Sequence, residues 1–287
     1  KKSGEASELF SDTNKASYQI KPGQCAILGD VRLGSSPTGV RLGALRIETS
    51  VARKEIRVRA ELTPNNATLP AGCTLACEVR DGGRVVKEFS APAAGGGMAQ
   101  VAAAWADPVL WEVGQPKLYA LTAALRKDGQ VLDQSLPERF GFREFEIRGR
   151  FFYLNGTKLN LRPASFSVDR CYTLDRAVID RWIQRAMAEG RNFIYCETVD
   201  EPNCAEALQP VLAAADEAGL LMAITPCQIH AFWQRLEEPK ILQEYTGYLN
   251  LRARRVWNHP ALVLYRMNMN FCAYNQDQNP FFLDGHK

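Results

Sequence analysis

Between residues 40 and 127 apolar and polar positions alternate with a period of two. Ile56, Val58, Ala60 and Leu62 stand against Glu55, Arg57, Arg59 and Glu61, so one face of an extended segment meets a core and the other meets water. Runs of the same kind occupy Val40 to Ile47, Thr74 to Val79, Arg84 to Phe89 and Leu118 to Leu125. Turn sequences such as Asp81-Gly82-Gly83 and Lys127-Asp128-Gly129 punctuate them, and the pattern predicts antiparallel sheets stacked as a β-sandwich. The stretch Ala91 to Gly97 reads as a flexible loop. Further on, Asn155-Gly156 between Phe152-Tyr153-Leu154 and Lys158-Leu159-Asn160-Leu161 is a type I′ hairpin signal, because both turn positions need positive φ.

After about residue 150 the period lengthens to that of a helix. Leu159 to Phe166 reads as a strand, followed by a helix from Leu174 to Glu189. On it Val178, Trp182 and Ala186 recur beside Ile179, Ile183 and Met187 to give one broad apolar face. Thr173 is placed to cap its start and Gly190 to end it. The cycle repeats with a strand at Asn192 to Cys196, a helix opened by Pro210 and closed before Gly219, and a strand at Leu220 to Ile224. A helix from Pro239 to about Trp257 is stopped by Asn258-His259-Pro260, and Ala261 to Met267 is a nearly all-apolar strand. Successive β-then-α units imply a parallel sheet with right-handed crossovers. They amount to half of a closed (β/α)8 barrel, which needs about 250 residues, or to an open sheet.

Composition narrows the function classes. The formal charge is +3 and the basic residues are scattered, so no footprint for nucleic acid or an anionic membrane is expected. No apolar run reaches the roughly 18 residues of a membrane span. No two of the eight cysteines form Cys-x-x-Cys, and His230, His259 and His286 are the only histidines. Metal and cofactor sites are therefore not expected, and the cysteines read as buried reduced thiols.

Three motifs occur in order. Pro116-Lys117-Leu118-Tyr119-Ala120-Leu121 is followed by Arg139-Phe140-Gly141-Phe142-Arg143-Glu144-Phe145-Glu146-Ile147, and then by Phe152-Tyr153-Leu154-Asn155-Gly156-Thr157-Lys158-Leu159-Asn160-Leu161-Arg162. The string resembles the passage into the catalytic barrel of family 2 glycoside hydrolases, the β-galactosidase and β-glucuronidase group. The resemblance implies a multidomain chain of β and α/β type. Residues 1–38 would be the tail of a jelly-roll sugar-binding domain and 39–147 an immunoglobulin-like β-sandwich. Residues 148–287 would be the first half of a (β/α)8 TIM barrel.

The resemblance also implies a glycosidase acting on O-glycosidic bonds of an oligo- or polysaccharide, and it locates departures. Where the family's fourth strand ends in Gly-Asn-Glu, with the Glu as acid/base, this chain has Asn268-Met269-Asn270. A retaining glycosidase needs two carboxyls about 5 Å apart, and an amide has no proton to give. The family nucleophile, on the seventh strand, falls beyond the residues present. Arg162 is followed by Pro163-Ala164-Ser165-Phe166, and the second strand ends in Tyr195-Cys196-Glu197-Thr198, unlike the family pattern at either place.

Each candidate carries a second reading. Asn270, with Asn268, is a ligand for substrate hydroxyls or a turn cap. Glu197 and Asp277 are relocated acids, or respectively an ordinary loop charge and a turn aspartate before Pro280. Tyr274 and Trp233 stack on sugar rings or fill space. His230 binds substrate or is a satisfied structural group. Arg162 joins them as a substrate-binding candidate, and His259 reads as a helix stop. A chain that kept this fold without its acid would be a carbohydrate-binding or scaffold protein. An open half barrel exposes strand edges, so a second copy or the remainder of the same chain is the expected cover.

Overall fold

The computed structural model describes residues 39–63, 69–93, 97–167, 176–197, 204–225 and 238–265. The jelly-roll expectation for residues 1–38 lies outside them. Strand β1 (Arg41–Ser50), β2 (Glu55–Thr63) and β5 (Met98–Ala104) form one antiparallel sheet in the order β1-β2-β5. A second sheet joins β4 (Arg84–Pro92), β3 (Thr74–Asp81), β6 (Tyr119–Lys127) and β7 (Gln130–Gln134), with β8 (Glu138–Phe140) also on β6. The alternation read in β2 is realised in full: Ile56, Val58, Ala60 and Leu62 are completely buried. They share one core with Leu75, Cys77 and Val79 of β3 and Leu121, Ala123 and Leu125 of β6, so the two sheets face each other across it.

Strand β5 and the short β7 and β8 were absent from the pattern reading. Met98–Ala104 is mostly alanine, and small side chains blur alternation even though Ala99 and Val101 are buried. Strand β4 runs to Pro92, so the supposed loop begins later than Ala91. At the β6–β7 connection Asp128 and Gly129 both have positive φ, 49° and 80°, the type I′ geometry whose twist matches that of the strands. Cys73, Cys77 and Cys196 are buried thiols, and burial pushes the Cys77 thiol up to about 12.

A three-stranded antiparallel sheet, β9 (Phe145–Arg148), β10 (Phe151–Leu154) and β11 (Thr157–Leu159), follows with order β11-β10-β9. Asn155 and Gly156 make its turn at φ 52° and 80°, as their chemistry requires. The Asn155 side chain is also used internally. Its Nδ2 donates to the Trp111 carbonyl at 3.0 Å, and its Oδ1 accepts from the Glu144 amide at 2.9 Å.

The parallel sheet has the order β12-β13-β14-β15, from β12 (Pro163–Ser167), β13 (Phe193–Glu197), β14 (Leu221–Ile224) and β15 (Leu262–Tyr265). Helices α1 (Arg176–Ala188), α2 (Cys204–Ala218) and α3 (Pro239–Val256) lie between them in sequence. Two sequence expectations are corrected. The first parallel strand starts only at Pro163, because Leu159 belongs to the hairpin; a proline is tolerated as the first residue of an edge strand. Helix α2 starts at Cys204, with Pro210 inside it. The preceding Cys-Ala-Glu-Ala-Leu-Gln is helix-favouring and buries Leu208, while Pro210 is solvent-exposed.

The sandwich and the parallel sheet meet along a close seam. Trp111, from the connection between β5 and β6, is fully buried in the core of the parallel sheet. A Cβ added at Gly141 would lie 2.7 Å from the Cβ of Trp111 and 2.8 Å from that of Pro260. At Gly219, just past α2, an added Cβ would come within 2.6 Å of the Glu112 carbonyl and the Gly114 amide. From the other side, Trp257 Nε1 and Asn258 Nδ2 both donate to the Leu45 carbonyl, at 2.7 and 2.9 Å. Gly141→Ala is therefore expected to destabilise by about 1–3 kcal/mol through overpacking. Gly83→Ala, where nothing lies within 4 Å of an added Cβ, is the control; urea midpoints of the two variants check the difference.

Candidate active site at the ends of the parallel strands

In a sheet whose strands all run one way, the C-terminal ends share one edge, and that edge collects the loops of α/β proteins. The register identifies it here: Ser167 pairs with Glu197, Cys196 with Ile224, and Ile224 with Tyr265. Beneath it Ile194, Cys196, Met222 and Ile224 are buried, so the edge rests on a packed floor. Thr225, immediately after β14, is also buried, and its amide lies 3.4 Å from the Cys196 carbonyl.

The expected site residues distribute unevenly over this frame. The backbone of Glu197 is at the last register position of β13, on the shared edge. His230 and Trp233 belong to the segment that follows β14 and lie outside the described residues. So do Asn268, Asn270, Tyr274 and Asp277, in the segment that follows β15. Arg162 stands at the opposite end, just before β12. Its amide donates to Asn192 Oδ1 at 2.7 Å and its carbonyl accepts from the Asn192 amide at 3.2 Å. The register thus separates Arg162 from Glu197 by the length of a strand.

Sequence reasoning passed over the groups that fix the height of β15. Asp216, 3% exposed on α2, accepts the Ala261 amide at 2.9 Å through Oδ1 and meets His259 Nδ1 at 2.5 Å through Oδ2. Its own carbonyl accepts from Trp111 Nε1 at 2.8 Å. His259 Nε2 lies 3.2 Å from Gln209 Oε1, and Gln209 Nε2 in turn donates to the Arg255 carbonyl. His259 is thus a bridge between helix and strand rather than only a helix stop. The available signal was Asp216 itself, one carboxylate following three alanines on the apolar stripe of a helix.

Arg143 completes the arrangement. Its Nε and a terminal nitrogen donate to the carbonyls of Pro260 and Leu262, at 3.0 and 2.7 Å. The intervening Ala261 carbonyl accepts from Met222 of β14, so Arg143 occupies the side of β15 that faces away from β14. Burial pushes this guanidinium down to about 10, opposed by Asp216 and Tyr265. It remains a cation at neutral pH. At the other end of β15 burial raises the Tyr265 phenol, with Arg46 and Arg143 opposing. What the arrangement can do chemically is hold the start of β15 rigidly, and with it the register of Tyr265 beside Ile224.

The family model for glycosyl hydrolases family 2 matches residues 40–143. The chain is a divergent protein similar to that family. A β-galactosidase from Thermoanaerobacterium thermosulfurigenes is 27% identical over 186 residues, covering 63% of this chain and 24% of that protein. A putative β-glucuronidase from Formosa agariphila is 46% identical over 57 residues, 20% of this chain and 7% of that protein. A solved β-glucuronidase from Ruminococcus gnavus, in complex with D-glucuronic acid, shares the fold with a TM-score of 0.62 at 18% identity. That likeness covers 85% of this chain and 40% of that one. This chain thus spans about a quarter of the length of the T. thermosulfurigenes relative.

The buried carboxylate of Asp216 reads as structural, since it lies on the side of the sheet away from the C-terminal edge. Asp216→Ala is expected to cost about 2–3 kcal/mol by leaving the Ala261 amide and a ring nitrogen of His259 without acceptors. Gln209→Ala, on the outer side of the same bridge, is expected to cost under about 1 kcal/mol. Denaturant titration of both variants checks the order.

Proposed function

We propose that this chain forms the middle of a glycosidase that cleaves O-glycosidic bonds in an oligo- or polysaccharide, with Asn270 standing where the acid/base carboxylate is expected. The observation that carries the proposal is the parallel order β12-β13-β14-β15 with Glu197 at its C-terminal edge, joined to a sandwich that matches the family. That order supports reading the sheet as the first half of a (β/α)8 barrel and the two facing antiparallel sheets as the immunoglobulin-like domain. Barrels of this kind do their chemistry at the C-terminal edge.

In this reading Glu197 or Asp277 protonates the leaving oxygen in place of residue 270. Asn268 and Asn270 hold sugar hydroxyls, Tyr274 and Trp233 present flat faces to the ring, and His230 lines the same mouth. The nucleophile would come from a further segment of the protein. Arg162, at the other end of its strand, is left out of the site. The full-length protein is expected to release aglycone from at least one member of a panel of aryl glycosides and saccharides. Glu197→Gln or Asp277→Asn, whichever removes the acid, is expected to lower kcat by about 100-fold or more, with the loss smallest on substrates whose leaving group needs no proton. A complete absence of turnover across the panel would overturn the reading.

Asn268-Met269-Asn270 itself favours a second reading, a carbohydrate-binding protein that kept the fold without the acid. It is expected to bind saccharide without turnover, and Asn270→Glu is expected to restore hydrolysis. Turnover by the unmodified protein would overturn it.

A further inference from the structure

Beside the end of β15, a cavity of about 390 Å³ opens between the outer face of the β1-β2-β5 sheet and the last turns of α3. This is within the size of small-ligand sites, roughly 300–1,000 Å³. Its walls carry Arg46 and Arg59 from the sheet, Arg254, Asn250 and Trp257 from the end of α3, and Tyr265 from β15.

The charges here are arranged at a cost. Arg46 and Arg59 are directly opposite each other on β1 and β2, and like charges at such a position are unfavourable. One carboxylate, Glu48, answers both, at 3.1 and 3.4 Å. Arg254 meets Glu61 at 2.9 Å. Among the described residues three guanidinium groups thus face two carboxylates, and the cavity keeps a surplus positive charge. The guanidinium groups are also held in place before any ligand arrives. Arg46 lies 5.6 Å over the Trp257 ring, and Arg59 Nε donates to Gln100 at 3.2 Å. Trp257 is pinned in turn by its bond to the Leu45 carbonyl. Guanidinium forks match carboxylate and sulfate oxygens, while Tyr265, 43% exposed, and Asn250 add groups suited to sugar hydroxyls.

We infer that this cavity, which among the described residues touches the C-terminal edge of the parallel sheet only at Tyr265, is a second saccharide site, which takes an acidic sugar residue through Arg46, Arg59 and Arg254. The inference rests on the reading of the protein as saccharide-directed, but its readout is binding and not turnover. A monoanionic group, the carboxylate of a hexuronic acid or a sulfate ester, matches the surplus charge. Beside it, an exposed phenol and a partly buried indole suit the C–H faces of a pyranose.

The test is calorimetric titration of the protein with three tetrasaccharides: one of galacturonic acid, one of sulfated galactose and one of unmodified galactose. At least one acidic probe is expected to bind, with the neutral one about tenfold weaker or more. Which acidic probe binds identifies the anionic group. Arg46→Gln is expected to weaken acidic binding by about tenfold. Asn250→Asp, on an exposed helix position, adds a negative charge to the cavity wall while leaving the three arginines in place and is expected to act in the same direction, so a folding defect in the first variant does not decide the outcome. Equal binding of acidic and neutral probes, or acidic binding untouched by both substitutions, overturns the inference. Acidic binding that responds to both substitutions in a protein without glycosidase activity keeps the inference and removes only the catalytic reading.

Discussion

The seam at Gly141 is the constraint on which the two halves of the molecule depend. With no Cβ on residue 141, Trp111 and Pro260 approach the backbone from two sides, and the indole passes out of the sandwich into the core of the parallel sheet. That transfer of one large side chain ties two separately built cores together. Aromatic groups of this size dominate the burial energy of the contacts they make. A second absence of a side chain, at Gly219, lets the connection that carries Trp111 lie flat against the end of α2.

Polar groups then fix the level at which the halves meet. Asp216 serves Ala261, His259 and, through its carbonyl, Trp111, while Arg143 reaches from the sandwich to two carbonyls of β15 and its approach. Buried charge is costly unless paired and hydrogen-bonded, and here the opposite charges act on the same short segment. The net effect is less a gain in stability than a definite register. A slide of one residue along β15 would leave Asp216 and Arg143 without these partners.

That register matters for the proposed function because positioning of reacting groups at a sheet edge depends on how the strands are aligned. The polar work seen at the seam is done at the starts of the strands, away from the C-terminal edge. Glu197 is on that edge by register. The arginine-lined cavity beside α3 is built differently, on a sheet face with a like-charge pair that a structural purpose alone would not favour.

Local sequence determined the elements wherever side chains were large enough to declare a face. Ile56 to Leu62, the helix over Val178 to Met187, and the Asn155-Gly156 turn all follow from periodicity or from φ preference. The alanine-rich β5 and the early start of α2 escaped, because small residues carry little pattern and a proline is a strong local signal that context can override. For the proposed site, the sequence raised Asn270 as a substituted position and Glu197 and Asp277 as candidate acids, since motif order and residue chemistry are written along the chain. It did not supply Asp216, His259 and Arg143 as one assembly, nor Arg46 beside Arg254, because those pairings span from 43 to 208 positions and exist only once the sandwich and the sheet have docked. It is docking that removes water from these groups, and so decides which of the chain's many charges become structural.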